Sequence, residues 1–262
     1  MILHGSVLSK VLGTATGITV FTPDELCEKT NYKVVYLLHG LHGNNRTWVN
    51  NTMLTQFGGK YDAIFVMPEV GRSFYCDMKH GYNYKMYVGE ELPEIVQNVF
   101  KISSKREDTA VMGCSMGGYG ALKLALSKPG QYGFCGAISS ACLFLNENLK
   151  GLRREGAAWA AQSPSNAALL RDMYAIFGDD LTDSDENDPV ILAEECAKLK
   201  KKPYIYAACG KSDSLLDENR RYNHKVQELS LDYKFEEWEG GHDWMFFSDA
   251  LKRALDVWQE VK

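Results

Sequence analysis

The stretch Val111-Met112-Gly113-Cys114-Ser115-Met116-Gly117-Gly118-Tyr119-Gly120 joins an apolar run to a helical one, Ala121 through Leu126. Read as strand, sharp turn and helix, it puts Ser115 on the turn, with a glycine two positions before it and another two after. Those small residues let the backbone fold tightly enough to project a hydroxyl above a sheet. The helix that starts at the next residue brings unpaired N–H groups and a positive end to the same point, where a developing negative oxygen would be stabilised. A G-x-S-x-G pentapeptide recurs by chance, so its weight here comes from lying between a strand and a helix.

Outward from this turn, short apolar segments alternate with longer helical patterns. Runs at 34–38, 63–67, 110–112, 136–140 and 204–209 are apolar almost throughout, as strands buried on both faces of a parallel sheet are. Leu92, Ile95, Val96, Val99 and Phe100 recur at helical spacing, and so do Phe247, Leu251, Leu255 and Trp258. The alternation predicts an α/β fold: a mostly parallel twisted sheet with crossover helices on both faces. Residues 6–12 and 17–21, split by a Gly/Thr turn, predict a hairpin that adds an antiparallel N-terminal edge. Segment 143–202 breaks the rhythm. Its helical pieces at 157–161 and 167–177 and its acidic loop at 178–188 read as a lid or insertion over one sheet edge. With no internal repeat, low-complexity run or linker, residues 1–262 read as a single domain.

Composition narrows the function classes. The chain has 262 residues, 45% hydrophobic and 24% charged, which fits a packed core and excludes disordered, collagen-like and coiled-coil chains. A net charge of −5, with no basic tract beyond 198–202, argues against nucleic acid as the main partner. No apolar run approaches the roughly 18 residues that span a bilayer, and the first residues lack the pattern of a secretory signal. The expectation is a cytoplasmic protein without a membrane partner. Seven cysteines (27, 76, 114, 135, 142, 196 and 209) form an odd set without paired spacing, which predicts reduced thiols.

A nucleophilic serine needs a base, and a group that orients the base. On such a sheet both should follow later strands, in the order acid, then histidine. The run 204–209 ends at Gly210, with Asp213 in the loop before a helix that begins near Leu215. Asp217 could also reach from this region, but it falls on the first helical turn, so Asp213 is preferred. Tyr233–Trp238 reads as the last strand, and Gly240-Gly241-His242-Asp243-Trp244 puts a histidine at the start of the final helix. Of the six histidines, His4, His80 and His224 lie in an N-terminal segment, a polar loop and a helical stretch, which leaves His242 as the candidate base. Asp243 is too close to it along the backbone to orient it.

The early run Val34 to Leu38 leads into His39-Gly40-Leu41-His42-Gly43-Asn44. Its place is that of a loop whose backbone would face the same point, with the N–H groups of Leu41 and Met116 as the pair holding an oxyanion. His39 and His42, three apart, could instead suggest a metal, but no third ligand is in view. Plainer readings exist for each residue. Ser115 or His242 could be a helix cap. Cys114 should point into the sheet as packing. Trp48, Phe74, Tyr75 and Trp244 are explained by the core as well as by a substrate platform. The acidic run 179–188 reads as a solvated loop, since its spacing does not fit a calcium loop.

Taken in order, His39 to Asn44, Ser73-Phe74-Tyr75, Gly89-Glu90-Glu91-Leu92-Pro93, the stretch around Ser115, Phe177-Gly178-Asp179, Cys209-Gly210 with Asp213, and Gly241 to Trp244 resemble the esterase D-like "putative esterase" family. The likeness is to its tributyrin esterase and feruloyl or acetyl esterase branch. It implies an α/β-hydrolase fold needing no cofactor and no metal, with Ser115, Asp213 and His242 as catalytic triad and Leu41 and Met116 as oxyanion donors. It also implies short-chain acyl esters, small-molecule or carbohydrate, as substrates, and homo-oligomerisation as a dimer or larger assembly. The alternatives are an S-formylglutathione hydrolase-like thioesterase, an acyltransferase, or a non-catalytic scaffold of the same fold.

Overall fold

The computed structural model of the chain describes residues 1–23 and 31–261. Its strands are β1 Ile2–Ser9, β2 Thr14–Phe21, β3 Lys33–Leu38, β4 Ala63–Pro68, β5 Thr109–Cys114, β6 Phe134–Ile138, β7 Tyr204–Gly210 and β8 Tyr233–Trp238. The helices are α1 Thr47–Asn51, α2 Leu54–Phe57, α3 Tyr84–Met86, α4 Leu92–Val99, α5 Met116–Ser127, α6 Leu145–Ala160, α7 Pro164–Phe177, α8 Pro189–Ala197, α9 Leu216–Gln227 and α10 Trp244–Glu260. All eight strands form one sheet in the order β1-β2-β4-β3-β5-β6-β7-β8. β1 and β2 pair antiparallel, as do β2 and β4. The pairs from β4 through β8 are parallel. This is the α/β-hydrolase fold.

The continuous apolar runs are buried on both faces. In β3, Val34, Tyr36 and Leu38 enter one apolar cluster, while Val35 and Leu37 enter the other. Trp48 of α1, Leu54 of α2 and Phe247, Leu251 and Leu255 of α10 cover the second face. Residues of α4, α5 and segment 143–202 cover the first. Each large side chain removed from water on these faces stabilises the fold by about 1.5–3 kcal/mol. From β3 the chain steps outward to β4 and then returns to β5 on β3's other side. The strand order therefore reverses between β3 and β5, and a crevice opens at their carboxyl ends, where sheets of this kind bind ligands.

Several elements differ from the expectation in extent. The hairpin strands are Ile2–Ser9 and Thr14–Phe21, so the apolar residues Val11 and Leu12 belong to the turn and not to a strand. The Glu91 carboxylate accepts the Ser9 hydroxyl and the amides of Lys10 and Val11, drawing that turn inward so that Leu12 is buried without pairing. β6 occupies Phe134–Ile138 and stops before Ser139, whose φ of 44° leaves the extended region. The helical pieces at 157–161 and 167–177 belong to the longer α6 and α7; the charged outer face and two internal glycines of α6 hide its period. Val99 is 68% exposed and Phe100 is already extended, so the apolar stripe of α4 is shorter than its sequence spacing suggests.

The acidic run is not simply solvated. Asp188 is buried and accepts the amides of Val190 and Ile191 as the cap of α8, while Asp183 pairs with Arg153 at 2.7 Å. Asn187 and Leu181 are buried as well. Cysteines 76, 114, 135, 142, 196 and 209 are free thiols, and Cys27 lies outside the described residues. Among the described residues no helix is long and apolar enough to cross a membrane.

Candidate active site

Ser115 follows β5 with φ 56° and ψ −120°, a conformation that costs a side-chain-bearing residue energy and persists only where the surroundings impose it. What imposes it is close backbone packing. A Cβ on Gly113 would lie 2.4 Å from the Gly117 carbonyl oxygen, and one on Gly117 would lie 2.3 Å from that of Leu38. The Ser115 amide donates to the Ile138 carbonyl at 2.9 Å, tying the turn to β6. Its side chain makes no cap hydrogen bond to α5, which removes the plain capping role. Cys114 beside it is buried, and burial pushes its thiol well above the ordinary range, so it is packing and not a nucleophile.

His242 and Asp213 arrive from the ends of β8 and β7. Their loops are joined by backbone hydrogen bonds from Lys211 to Trp238 and from Ser212 to Gly240, both 2.9 Å. His242 Nδ1 lies 2.8 Å from Asp213 Oδ2, with the carboxylate side chain fully buried and the imidazole 34% exposed. The other Asp213 oxygen accepts the Leu215 amide at 2.9 Å. Burial would raise the Asp213 carboxyl, but the hydrogen bond from His242 and that from the Leu215 amide outweigh it and hold the group below its ordinary value. Asp217 points to solvent, fully exposed, with Arg220 4.0 Å away, so it is Asp213 and not Asp217 that the fold brings to His242. Asp243, not His242, caps α10, accepting the Met245 and Phe246 amides at 3.0 Å each.

The loop after β3 lies across the crevice. His39 is buried: its Nδ1 lies 2.8 Å from the Gly40 carbonyl and its Nε2 accepts the Val70 amide at 3.3 Å. Both ring nitrogens are thus occupied within the protein. Among the described residues no group of three or more His, Cys, Asp or Glu side chains could hold a metal ion. Tyr75 donates its hydroxyl to the His39 carbonyl, and Trp48 its indole N–H to that of Leu38, each at 2.9 Å. These two and Phe74 are core residues that shape the loop from behind, whereas Trp244 reaches the crevice. Among the described residues, the N–H groups of Leu41 and Met116 donate to no protein acceptor.

Ser115, His242 and Leu41 line one open cavity of about 480 Å³. Its other wall carries Asn44, Thr47, Asn50 and Asn51, and Trp244 flanks His242. The asparagines at 50 and 51 carry no motif of their own. They come from α1, one turn beyond the loop, and only the fold brings them to the cavity that Ser115 lines.

The fold and this crevice define an α/β-hydrolase. The family model described as "Putative esterase" matches residues 9–256, and the chain belongs to that family; it is a carboxylic ester hydrolase. It is 30% identical, over 98% of its length and 96% of the relative's, to an acetyl esterase of Caldicellulosiruptor saccharolyticus. Among solved structures, a fluorophosphonate-binding serine hydrolase of Staphylococcus aureus superposes with a TM-score of 0.83 at 28% identity, covering 98% of both chains. An S-formylglutathione hydrolase from the same organism gives 0.80 at 26% identity, covering 98% of this chain and 99% of the other. The resemblance read from the motifs is thereby confirmed at the level of the family.

Proposed function

We propose that the protein is a serine esterase working through an acyl-enzyme, with Ser115 as nucleophile, His242 as general base and acid, and Asp213 as the group that orients it. The observation that carries the reading is the 2.8 Å contact from His242 Nδ1 to a buried Asp213 carboxylate, in a crevice shared with a serine held in a strained turn. Ser115 Oγ attacks the ester carbonyl while His242 Nε2 takes its proton. The carbonyl oxygen, now negative, is held by the Leu41 and Met116 amides. His242 returns the proton to the leaving alcohol, and water repeats the sequence to release the acid. Asp213 keeps the proton on Nδ1 and stabilises the imidazolium. The asparagines and Trp244 of the cavity wall suit a hydroxylated alcohol such as a sugar, and the likeness to an acetyl esterase supports short acyl esters.

A thioester reading is favoured by one observation, the whole-chain likeness to an S-formylglutathione hydrolase. The same residues would act on either leaving group. Comparing kcat/KM for acetylated sugar and S-formylglutathione decides between them. For the catalytic assignment, the test is labelling by a fluorophosphonate together with p-nitrophenyl acetate turnover. Label on Ser115 and a loss on the order of 10⁴-fold in Ser115→Ala are expected. Turnover surviving that substitution would overturn the reading.

A further inference from the structure

The strand order β5-β6-β7-β8 puts β6 between the strand that delivers Ser115 and the two that deliver Asp213 and His242. The proposed machinery therefore comes in two halves, with the loop after β6, residues 139–142, between them. That loop is tied to both sides. Toward the nucleophile, Ser115 donates its amide to the Ile138 carbonyl at 2.9 Å, and its own carbonyl accepts the Ala141 amide at 3.3 Å. Toward the acid, the Ser139 amide donates to the Ala208 carbonyl of β7 at 2.7 Å. Ser139 and Cys142 have φ of 44° and 53°, left-handed values that residues with side chains keep only where their surroundings impose them.

One buried side chain spans from this loop to the loop of the acid. Asn219, in the first turn of α9, accepts the Ser140 amide on Oδ1 at 3.3 Å and donates Nδ2 to the Ser140 carbonyl at 2.9 Å and to the Leu215 carbonyl at 2.8 Å. Both of its N–H bonds and its acceptor are thus used. Leu215 is the residue whose amide binds the Asp213 carboxylate. A continuous set of contacts therefore runs from Asp213 through Leu215, Asn219 and the Ser140–Ala141 backbone to Ser115, and none of the three linking residues 215, 219 and 140 lines the cavity that Ser115 shares with His242. Ser140 is buried, so losing the Asn219 amide would strand its N–H and C=O, and the loop would have to shift to satisfy them.

We propose that Asn219 is a positioning residue, setting the separation between the Ser115 turn and the Asp213–His242 pair across which the proton passes. This rests on the serine esterase reading above. The contact between His242 and Asp213, and the backbone bonds that join their loops, involve no atom of Asn219. Its removal therefore shifts the pair as a unit and leaves the basicity of the imidazole as it was, while a displacement of about 1 Å costs on the order of 10²-fold in rate.

The experiment measures kcat/KM for p-nitrophenyl acetate against pH, and the rate of fluorophosphonate labelling, in the native protein, Asn219→Leu, Asn219→Ala and Asp213→Asn, each well below its melting temperature. Leucine keeps the volume without the amide; if that variant does not fold, Asn219→Ala, which adds no bulk and favours the helix, carries the test. In the Asn219 variants kcat/KM should fall about 10- to 100-fold, labelling should slow in parallel, and the pH midpoint should stay at the native value. Asp213→Asn should instead change the pH profile, since it removes the charge beside the imidazole. Native kcat/KM in a folded Asn219 variant would reduce the residue to a structural role and overturn the assignment. A shifted pH midpoint would overturn it too, because Asn219 would then act through the charge of Asp213. Either result leaves the esterase reading intact, whereas a native protein with neither ester turnover nor label on Ser115 would remove both.

Discussion

The loops at the carboxyl edge of the sheet and the segment 143–202 are built on different principles. Around Ser115 the backbone itself is in contact, carbonyl against glycine, so that no side chain can be added at Gly113 or Gly117 without moving a strand. Segment 143–202 is held through side chains: Arg153 reaches the Leu181 carbonyl and Asp183, Arg221 grips Glu147, and Asn146 bonds Asp185. Such contacts can be exchanged one at a time, whereas the turn has no slack.

The sharpest way to break this contrast is at the acid. Asp213→Asn should lower kcat by about 10⁴-fold, because an amide cannot hold the imidazole in the required tautomer. Asp217→Asn, on a fully exposed side chain, should leave it within a factor of about two, and equal losses in the two would end the assignment. Gly117→Ala should follow in size, with denaturant melts showing a loss of at least about 1–3 kcal/mol, since the new methyl would overlap the Leu38 carbonyl. In segment 143–202, Arg153→Ala should lower the denaturant midpoint by much less than Gly117→Ala does, its ion pair being partly solvated, and should leave p-nitrophenyl acetate turnover in place.

The two regions also differ in the sign of their response to pH. The folded Asp213 carboxyl lies below its unfolded value, so its contribution is complete above the ordinary carboxylate range and is lost as pH falls through the folded value. Asp188 is opposite: burial raises its carboxyl despite the amides of Asn146, Ile191 and Val190, so folding loses stability as pH rises through that elevated value. Urea midpoints taken from about pH 3 to 7, around the ordinary carboxylate value near 3.9, should show Asp188→Asn flattening the fall on the alkaline side. Asparagine can still cap α8, so the pH slope, not the absolute midpoint, is the quantity that checks this.

Much of the candidate site was legible because the catalysis proposed for it demands fixed residue types beside fixed local structure. Ser115 could be read from its glycines and its place between strand and helix, and His242 by elimination among few histidines. Asp213 was separable from Asp217 only as a preference, since both lie within one loop and its helix start, and orientation toward or away from solvent is a tertiary property. The extent of α6 was missed because its exposed face is charged and two glycines interrupt the pattern. The turn at 10–13 reads as strand because Val11 and Leu12 are apolar, and what bends the chain there is a carboxylate 80 residues away, which holds the Lys10 and Val11 amides.

The sequence by itself determined the parallel sheet and the strained turn. Apolar runs buried on two faces and glycines at a crowded corner are local necessities, imposed by water and by steric overlap. Only the tertiary structure decided which aspartate meets the histidine, that asparagines line the same cavity as Ser115, and that the acidic loop is pinned to a helix. Those are encounters between segments distant along the chain, and distance along the chain carries no information about the direction in which a side chain ends up pointing.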